Sequence, residues 1–434
     1  MYSYRINGGK PLRGDITISG SKNAVLGVLA ASMMLDGPCI LENVPDISDV
    51  KVMVELCRTI GATIEEIDRY TLRIDPTTIN TYTATGPEVS KIRASYYLLG
   101  ALLARCGKAY LRMPGGCNFG QRPIDYHLKA FKAMGAKGTN ARDIENGIIK
   151  LEANPLHGAR VFFDIASVGA TINVMLAATK AQGVTMIINA AKEPHIVDVA
   201  NFLNSMGAKI KGAGTDTIRI TGVPTLPGNF SYSIIPDQIE AGTYMIAAAV
   251  TGGDVTIHNL IPTHMEPLSA KMREMGYTVE EDDESIRVYK EPDAEIEGTN
   301  FKTAPYPGFP TDLQPQAVVL LCLAGGMSKM HENVWETRFQ YVAELQKMGA
   351  NINCIERVAL VSGVDSFKPA CVTATDLRAG AALVCAALEA PGVSYIGYAS
   401  RIDRGYENII EKLTSLGADI ERVEKPVFDN DGEA

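Results

Sequence analysis

The sequence lacks the signatures of several common kinds of chemistry. Its eight cysteines include no CxxC pair, and its six histidines show neither HxH nor HExxH spacing. A disulfide framework, a zinc site and a dithiol redox centre are therefore not supported. No GxGxxG or GxxxxGK[ST] run is present, so the usual dinucleotide-binding and P-loop motifs are missing as well.

Long apolar segments and an excess of positive charge are also missing. The longest uncharged apolar stretches, residues 317–327 and 379–388, are far shorter than the roughly 18 residues that a membrane span needs. No apolar run follows the first basic residues to form a secretory signal. Lysine and arginine number 41 against 50 aspartates and glutamates, so the net charge of −9 provides no overall field for nucleic acid. We expect a cytoplasmic protein that binds neither membranes nor nucleic acid, in an oligomeric state that the sequence leaves open.

What the sequence does contain is a repeat. With 434 residues, of which 46% are apolar and 21% charged, the chain is long enough for two or three domains. An amphipathic helix, a glycine among small or apolar residues and a short strand recur six times, at intervals of about 70 residues. We expect these glycines to end each helix in the left-handed conformation. They are Gly61, Gly135, Gly207, Gly276, Gly349 and Gly417.

Each copy also begins with an apolar, alanine-rich helix and ends with two further strand-like segments. The predicted unit is helix–strand–helix–strand–strand–strand. The sixth copy stops at Glu424 without its last two strands, and residues 1–21 match the missing pair in character. We therefore predict two domains of three units each, residues 22–235 and residues 1–21 with 236–434. A solenoid of six units in a row is the alternative.

Polar and basic residues gather at the starts of the six apolar helices. Serine, threonine, aspartate and asparagine are ordinary N-caps there. Lysine and arginine are repelled by the partial positive charge of a helix N-terminus. Lys22, Arg93 and Arg378 nevertheless occupy equivalent positions in three copies. This arrangement predicts an anion site, whereas for any one of them a solvated charge is the simpler interpretation.

A second candidate site is the loop PGGCNFGQRPID, residues 114–125, which is rich in glycine and proline. Its composition predicts a mobile lid rather than a helix or strand. Cys117 is five residues from Arg122, and nearby positive charge favours a reactive thiolate; an idle loop cysteine is the alternative. The other seven cysteines have apolar or strand-like surroundings, so we expect them to be small core residues.

Seven motifs follow one another along the chain: GSKNA, MPGGCNFGQRPID, SVGAT, NAAKEP, FPTDLQPQ, TDLRAG and IDRGYE. Together they resemble the UDP-N-acetylglucosamine 1-carboxyvinyltransferases, the enolpyruvyl transferases of peptidoglycan synthesis. The resemblance implies an α/β fold, a two-domain inverse α/β barrel of six βαβαββ units, three per domain. It also implies an enzyme that joins phosphoenolpyruvate to the 3-hydroxyl of UDP-N-acetylglucosamine and releases phosphate, with no metal or organic cofactor.

The same resemblance implies roles for particular residues. Asp312 corresponds to the general base facing the sugar hydroxyl, and Cys117 to the proton donor of the enol carbon. Lys22, Arg122 and Arg404 correspond to the cations that hold phosphoenolpyruvate, whose phosphate and carboxylate suit point and bidentate charges. The nucleotide-sugar contacts implied are Arg93, Arg122, Pro123, Ile124, Asp125, Tyr126, Ser167, Val168, Gly169 and Val334. Asn23, Arg338 and Arg378 are further implied binding residues.

Three positions depart from the pattern of the family. Ile165 stands where some members carry lysine, which leaves one diphosphate contact open. Gln238 stands where arginine is common, and Arg401 where a neutral or aromatic residue is expected. None of the three is the cysteine or the general base.

Other functions are compatible with parts of this pattern. A shikimate-type enolpyruvyl transferase shares the architecture but lacks the PGGC cysteine. A cyclase of RNA 3′-phosphate ends is built from related units, and the net charge of −9 argues against it. A non-catalytic paralogue that binds the nucleotide sugar would be expected to have lost Cys117, Asp312 or Lys22, and all three are present.

Overall fold

The computed structural model describes residues 2–115, 124–139 and 147–424. The chain forms two compact units. The N-terminal unit consists of Gly20–Ile235, and the C-terminal unit of Met1–Ser19 together with Pro236–Ala434. Among the described residues, no helix is long and apolar enough to span a membrane.

The chain begins with two strands of the C-terminal unit, β1 (Tyr2–Gly8) and β2 (Arg13–Thr17). It then enters the N-terminal unit, which holds the first three copies of the repeat. Copy one contains α1 (Lys22–Ser32), β3 (Cys39–Glu42), α2 (Ser48–Thr59), β4 (Thr63–Asp68), β5 (Thr71–Asp75) and β6 (Thr83–Ala84). Copy two contains α3 (Tyr97–Cys106), β7 (Lys108–Arg112), α4 (Asp125–Ala133), β8 (Lys137–Gly138), β9 (Ile148–Glu152) and β10 (Arg160–Phe162). Copy three contains α5 (Val168–Thr179), β11 (Val184–Ile188), α6 (Pro194–Ser205), β12 (Lys209–Lys211), β13 (Thr217–Thr221) and β14 (Ser231–Ser233).

The remaining three copies belong to the C-terminal unit and follow the same order. Copy four contains α7 (Gln238–Val250), β15 (Asp254–His258), α8 (Pro262–Met275), β16 (Thr278–Glu281), β17 (Ser285–Tyr289) and β18 (Asn300–Lys302). Copy five contains α9 (Gln314–Cys322), β19 (Met327–His331), α10 (Val342–Lys347), β20 (Asn351–Ile355), β21 (Val358–Ser362) and β22 (Cys371–Thr373). Copy six contains α11 (Leu377–Glu389), β23 (Gly392–Gly397), α12 (Ile409–Ser415) and β24 (Asp419–Glu424).

Every copy is built around a four-stranded sheet, and the last strand of each copy joins the sheet of the next. In the N-terminal unit β6 pairs in parallel with β7, β10 with β11, and β14 returns to β3. In the C-terminal unit β18 pairs with β19, β22 with β23, and β2 with β15. Within each unit the three copies therefore form a closed ring, which argues against an open solenoid.

The N-terminal strands supply what copy six lacks. β1 lies between β23 and β24 and is antiparallel to both. β2 corresponds to the last strand of copy six, and it pairs in parallel with β15 of copy four. The expectation that residues 1–21 complete the sixth copy is thus met by these strand pairings. The exchange of the last strand between copies was not foreseen.

The first helix of each copy lies in the core of its own unit. In α5 every residue from Gly169 to Thr179 is buried, and in α11 every residue from Leu377 to Leu388. Each unit has its own cluster of buried apolar side chains around these helices. A charged group in the middle of such a helix would lose its hydration, so charges are confined to the helix ends.

The six central glycines end the second helices as predicted from the sequence. All six have φ between +90° and +106°, the left-handed region that side chains with a Cβ rarely adopt. At Gly417, apart from the glycine itself and its two neighbours in the chain, no atom of the described residues lies within 4 Å of the place where a Cβ would stand. The conformation alone therefore selects glycine at this position.

We expect Gly417→Ala to lower the free energy of unfolding by about 1–2 kcal/mol, the cost of holding a Cβ in the left-handed region. Gly417→Asn should cost less, because asparagine tolerates this conformation. Urea denaturation of the two variants and the unchanged protein measures the difference. Equal midpoints for all three proteins would show that this cap does not depend on glycine.

Candidate functional site

The described residues that are expected to bind substrate lie partly in the N-terminal unit and partly in the C-terminal unit. Cys117, Arg122 and Pro123 lie outside the described residues, as does most of the loop that contains them. The other candidate residues lie within the described part of the chain.

The start of α1 carries Lys22 and Asn23, and Ser21 caps this helix by accepting a hydrogen bond from the amide of Ala24. The ammonium group of Lys22 lies 2.9 Å from Oδ2 of Asp49, and both side chains are largely buried. The sequence predicts an anion-binding site that includes this lysine, and the structure shows the internal carboxylate of Asp49 next to its ammonium group. Asp49 was not singled out from the sequence, where it looks like an ordinary acidic residue in the first turn of α2.

The start of copy two brings Arg93 against an aromatic ring. Arg93 begins a 3₁₀ turn, Arg93–Tyr96, that leads into α3, and its guanidinium carbon lies 5.5 Å from the centre of the Tyr96 ring. Burial lowers the pKa of the Arg93 guanidinium. A half-buried cation stacked on a ring suits recognition of an anionic, planar ligand.

The start of copy three meets the same tyrosine. Ser167 caps α5 by accepting a hydrogen bond from the amide of Ala170, at 3.3 Å. A Cβ on Gly169 would stand only 2.2 Å from the Tyr96 hydroxyl, so glycine is what allows the ring to lie against this helix start. Tyr96 thus joins two segments that the sequence analysis assigned to the nucleotide sugar.

The third segment of this group is the start of α4. Ile124 is buried, and the Tyr126 ring packs edge-on against Phe163, with ring centres 6.1 Å apart. Asp125 opens the helix, and its Oδ1 accepts no hydrogen bond from the part of the chain that the structure describes. Ile165, the position at which some relatives carry lysine, is 66% exposed. It presents an apolar side chain to solvent where a cation would otherwise stand.

A buried polar network holds these segments together, and sequence analysis missed it. Nδ2 of Asn173, in the middle of α5, donates to the carbonyl of Tyr96 at 3.0 Å and lies 2.9 Å from Nδ1 of His127. Its Oδ1 accepts from the amide of Gly100 at 2.9 Å. Since the amide donates, Nδ1 of His127 is the acceptor. Burial, with a smaller effect of Arg93, lowers the pKa of His127 to about 3, so this histidine stays neutral.

In the C-terminal unit the central feature is Asp312 with two arginines. Asp312 lies in a 3₁₀ turn, Thr311–Leu313, directly before α9. Its Oδ1 is 3.3 Å from Nη2 of Arg338, and its Oδ2 is 3.1 Å from Nη2 of Arg378. The arginine side chains are 1% and 4% exposed, whereas that of Asp312 is 30% exposed. Two buried arginines thus fix the Asp312 carboxylate, which is still partly exposed to solvent.

Arg378 repeats the pattern seen at Lys22. It is the second residue of α11, whose cap Asp376 accepts hydrogen bonds from the amides of Arg378 and Ala379. Burial alone would lower the pKa of its guanidinium, but the Asp312 carboxylate and other nearby groups raise it overall. Its guanidinium carbon is 5.6 Å from the centre of the Tyr406 ring.

Arg401 and Gln238, which depart from the family pattern, both lie at or near the start of an apolar helix. Arg401 donates from Nη1 to the carbonyls of Ala374 and Thr375, at 2.6 and 3.1 Å, and so fixes the segment that leads into α11. Arg404 lies half-buried three residues further on. Gln238 is the first residue of α7, where Asp237 supplies the cap.

The cysteines differ in part from expectation. Cys39, Cys57, Cys322 and Cys385 are buried, and burial raises the pKa of each thiol to about 12. The prediction of a core position is wrong for Cys106, Cys354 and Cys371, which are exposed. Cys106 is the last residue of α3, and the other two lie on outward-facing positions of β20 and β22. Within the described residues, no three or more histidine, cysteine, aspartate or glutamate side chains are grouped to hold a metal ion.

Known proteins resemble this chain over nearly its whole length. The family model of EPSP synthase (3-phosphoshikimate 1-carboxyvinyltransferase) matches residues 6–413. The chain is 52% identical over 423 residues to UDP-N-acetylglucosamine 1-carboxyvinyltransferase 3 of Caldanaerobacter subterraneus subsp. tengcongensis, covering 98% of this chain and 100% of that one. It is also 52% identical over 424 residues to UDP-N-acetylglucosamine 1-carboxyvinyltransferase of Clostridium botulinum, with the same coverage.

Solved structures share the fold. The enolpyruvyl transferase NikO of Streptomyces tendae matches with a TM-score of 0.88 and 26% identity, over 98% of this chain and 99% of that one. EPSP synthase of Acinetobacter baumannii matches with a TM-score of 0.75 and 19% identity, over 98% and 100% of the two chains. The second likeness concerns the fold alone.

The low pKa of the buried His127 leads to a prediction of how the free energy of unfolding depends on pH. Its pKa rises from about 3 in the folded chain to about 6.5 on unfolding, so in this window the unfolded state binds more protons. Stability therefore falls as the pH falls, by up to about 1.4 kcal/mol per pH unit from this residue. His127→Gln should flatten the dependence of the unfolding free energy on pH between about pH 6 and about pH 4. His157→Gln, which replaces an exposed histidine, is the control; an equally steep dependence in His127→Gln and the unchanged protein would contradict this account.

Proposed function

The chain belongs to the enolpyruvyl transferase family of EPSP synthase and UDP-N-acetylglucosamine 1-carboxyvinyltransferase, and from this premise we propose what it does. It transfers the enolpyruvyl group of phosphoenolpyruvate to the 3-hydroxyl of UDP-N-acetylglucosamine and releases phosphate, the first committed step of peptidoglycan synthesis. The observation that carries this proposal is the 52% identity over 98% of the chain to relatives of that name. The cytoplasm is the proposed location.

The N-terminal unit supports the binding of two anionic substrates. Lys22, already oriented by Asp49 at 2.9 Å, and Arg122 are proposed to bind phosphoenolpyruvate, and Asn23, which follows Lys22 in the sequence, is proposed as a further binding residue. A lysine held at a helix start contributes a point charge where backbone amides also favour an anion. This preorganisation reduces the ordering that binding requires.

The nucleotide sugar is assigned to the segments around Tyr96. Arg93, the start of α4 and the start of α5 are joined through that residue and through Asn173. Because Ile165 offers no charge, the diphosphate depends on Arg93 and on the amides at the start of α5. Asp125 and Tyr126 present a carboxylate and a ring for the uridine part, and an acceptor such as Oδ1 of Asp125 suits the donor groups of that base.

The C-terminal unit supplies the proposed general base. Asp312 accepts the proton of the sugar 3-hydroxyl while the oxygen attacks the carbon that carries the phosphate ester. Cys117 donates a proton to the methylene carbon of phosphoenolpyruvate, which gives a tetrahedral adduct with a methyl group. A proton of that methyl group then returns to the Cys117 thiolate, and its electron pair restores the double bond as the bond between the adduct carbon and the phosphate oxygen breaks. The phosphate leaves with that bonding pair and takes up the proton held by Asp312. Arg404, in the same unit as Asp312, provides a further cation for an anionic substrate.

Release of inorganic phosphate tests the proposal. We expect phosphate only when phosphoenolpyruvate and UDP-N-acetylglucosamine are both present. Turnover with shikimate 3-phosphate instead would identify a shikimate-type enzyme. Binding of the nucleotide sugar without turnover would identify a non-catalytic paralogue.

In the same assay we expect Asp312→Asn to reduce turnover by roughly 10²–10⁴-fold, the usual contribution of a positioned general base. Asparagine keeps the shape of the side chain but cannot accept the hydroxyl proton. Titration calorimetry should show a much smaller loss of affinity for UDP-N-acetylglucosamine. Lost binding with normal turnover of the bound substrate would make Asp312 a ligand rather than the base.

An epoxide analogue of phosphoenolpyruvate, such as fosfomycin, should alkylate Cys117 in preference to the other cysteines. The exposed thiols of Cys106, Cys354 and Cys371 serve as internal controls for simple accessibility. Cys117→Asp keeps an acidic group, so it should retain some transfer and escape alkylation. Cys117→Ala should be nearly inactive. Peptide mapping that finds the adduct mainly on another cysteine, or full activity of the alanine variant, would refute the assignment.

A further inference from the structure

One buried carboxylate, that of Glu332, lies near the candidate base Asp312 but is not among the candidate substrate-binding residues. Glu332 follows β19 directly and is 0% exposed. Its Oε1 accepts hydrogen bonds from Thr303 Oγ1 at 2.8 Å, from the Val334 amide at 2.7 Å and from the Trp335 amide at 3.0 Å. Its Oε2 accepts one from Thr311 Oγ1 at 2.9 Å. Removing a carboxylate from water is costly, so a buried one with four donors calls for an explanation.

The other copies of the repeat indicate what the fold itself requires at this place. In copies one, three and four, an asparagine with φ between +55° and +57° directly follows β3, β11 and β15, respectively. Its Nδ2 donates to the backbone carbonyl at the end of the neighbouring parallel strand. The pairs are Asn43 with Ile234, Asn189 with Phe163, and Asn259 with Ile18.

Copy five meets the same requirement with a different residue. Asn333, one position later, donates from Nδ2 to the carbonyl of Thr303 at 3.0 Å. The bond to the carbonyl at the end of the neighbouring strand is therefore made by Asn333, and Glu332 adds a bond from the Thr303 hydroxyl. Since the repeat does not require this carboxylate, its role has to be sought in the segments that it joins.

Those segments carry the candidate catalytic group and its neighbours. Thr311 begins the 3₁₀ turn Thr311–Leu313, so its bond to Glu332 fixes the residue immediately before Asp312. The amides of Val334 and Trp335 fix the start of the segment that leads to Arg338, which pairs with Asp312 at 3.3 Å. One carboxylate thus holds both the turn that carries the base and the segment that carries one of its two arginines.

We propose that Glu332 is a positioning residue, which acts through Thr311 to set the carboxylate of Asp312 for proton removal. This inference rests on the proposed function. A displacement of about 1 Å in a catalytic group can cost roughly 10²-fold in rate, so an anchor one residue away has a large effect on turnover. Its effect on the affinity for the nucleotide sugar is smaller, because Asp312 is one contact among several.

The anchor can be altered in graded steps. Glu332→Gln keeps an oxygen for the two amides, and the Thr311 hydroxyl can rotate to accept from the new amide group. Glu332→Leu removes all four bonds. Thr311→Val removes only the bond to the turn and keeps the shape of the side chain. Thr303→Val removes a different bond to the same carboxylate, together with the bond that the Thr303 hydroxyl accepts from the Asn333 amide, and serves as the control.

We expect Thr311→Val to lower kcat roughly ten- to hundredfold, with less than a threefold change in the Kd of UDP-N-acetylglucosamine. Glu332→Leu should lower kcat at least as much, and Glu332→Gln should retain most of it. Thr303→Val should lower the Tm while kcat per folded molecule stays within about twofold. Phosphate release, calorimetry and thermal unfolding provide the three readouts.

A double-mutant cycle separates positioning from direct contact with substrate. If Thr311 acts through Glu332, Thr311→Val should have little further effect on kcat in the Glu332→Leu background. Additive losses, or a kcat for Thr311→Val equal to that of the unchanged protein, would overturn the inference and leave the proposed function intact. If Glu332→Leu fails to fold, Thr311→Val in the otherwise unchanged protein decides alone, and a kcat equal to that of the unchanged protein overturns the inference. Absence of turnover in the unchanged protein would overturn the proposed function and this inference together.

Discussion

The first helix of each copy is surrounded by the core of its own unit, and this burial decides where polar groups can stand. Charges in the middle of α5 or α11 would be removed from water on every side. They are therefore placed at the helix starts, where backbone amides and capping side chains also lie. The candidate residues Lys22, Arg93 and Arg378 occupy such positions. The substrate-binding chemistry proposed for this chain is thus confined to the ends that the fold leaves polar.

Internal carboxylates make those positions tenable. Asp49 lies 2.9 Å from Lys22, and Asp312 lies 3.1 Å from Arg378, so these two cations at helix starts each have an anion from a neighbouring element, whereas Arg93 lies against the Tyr96 ring. The pairs differ in what they leave free. Asp49 is buried with its lysine, whereas Asp312 stays partly exposed between two buried arginines. A carboxylate that is fixed from one side and open on the other can meet a hydroxyl without first being reordered.

Several features of the fold could be predicted from the sequence because each leaves a local signal. The glycines that end the second helices mark the six copies, and their φ values are those that the prediction requires. The incomplete sixth copy identified β1 and β2 as its missing strands. The exchange of last strands between copies could not be predicted, since short strands with one alternating pattern fit several neighbours equally well.

The side chains that hold the site were harder to find. Asn173 is visible as a polar residue in an apolar helix and His127 as one of several polar residues in α4, but the sequence does not reveal that they meet each other and that Asn173 meets Tyr96. Glu332 looks like a surface residue beside a strand and is in fact buried. Cys354 and Cys371 were misplaced because composition does not show which face of a short strand points outward. For Asn173, His127 and Glu332, side-chain partners that are distant in sequence decide the placement.

Identification of the reaction product tests the proposed activity most directly. Proton and phosphorus NMR would be recorded on the purified protein with phosphoenolpyruvate and UDP-N-acetylglucosamine. We predict vinyl methylene resonances on a product whose UDP part is intact, with the new ether at the sugar 3-position and an equal amount of inorganic phosphate. Phosphate formed without the enol ether, or an ether at another position, would contradict the proposed function.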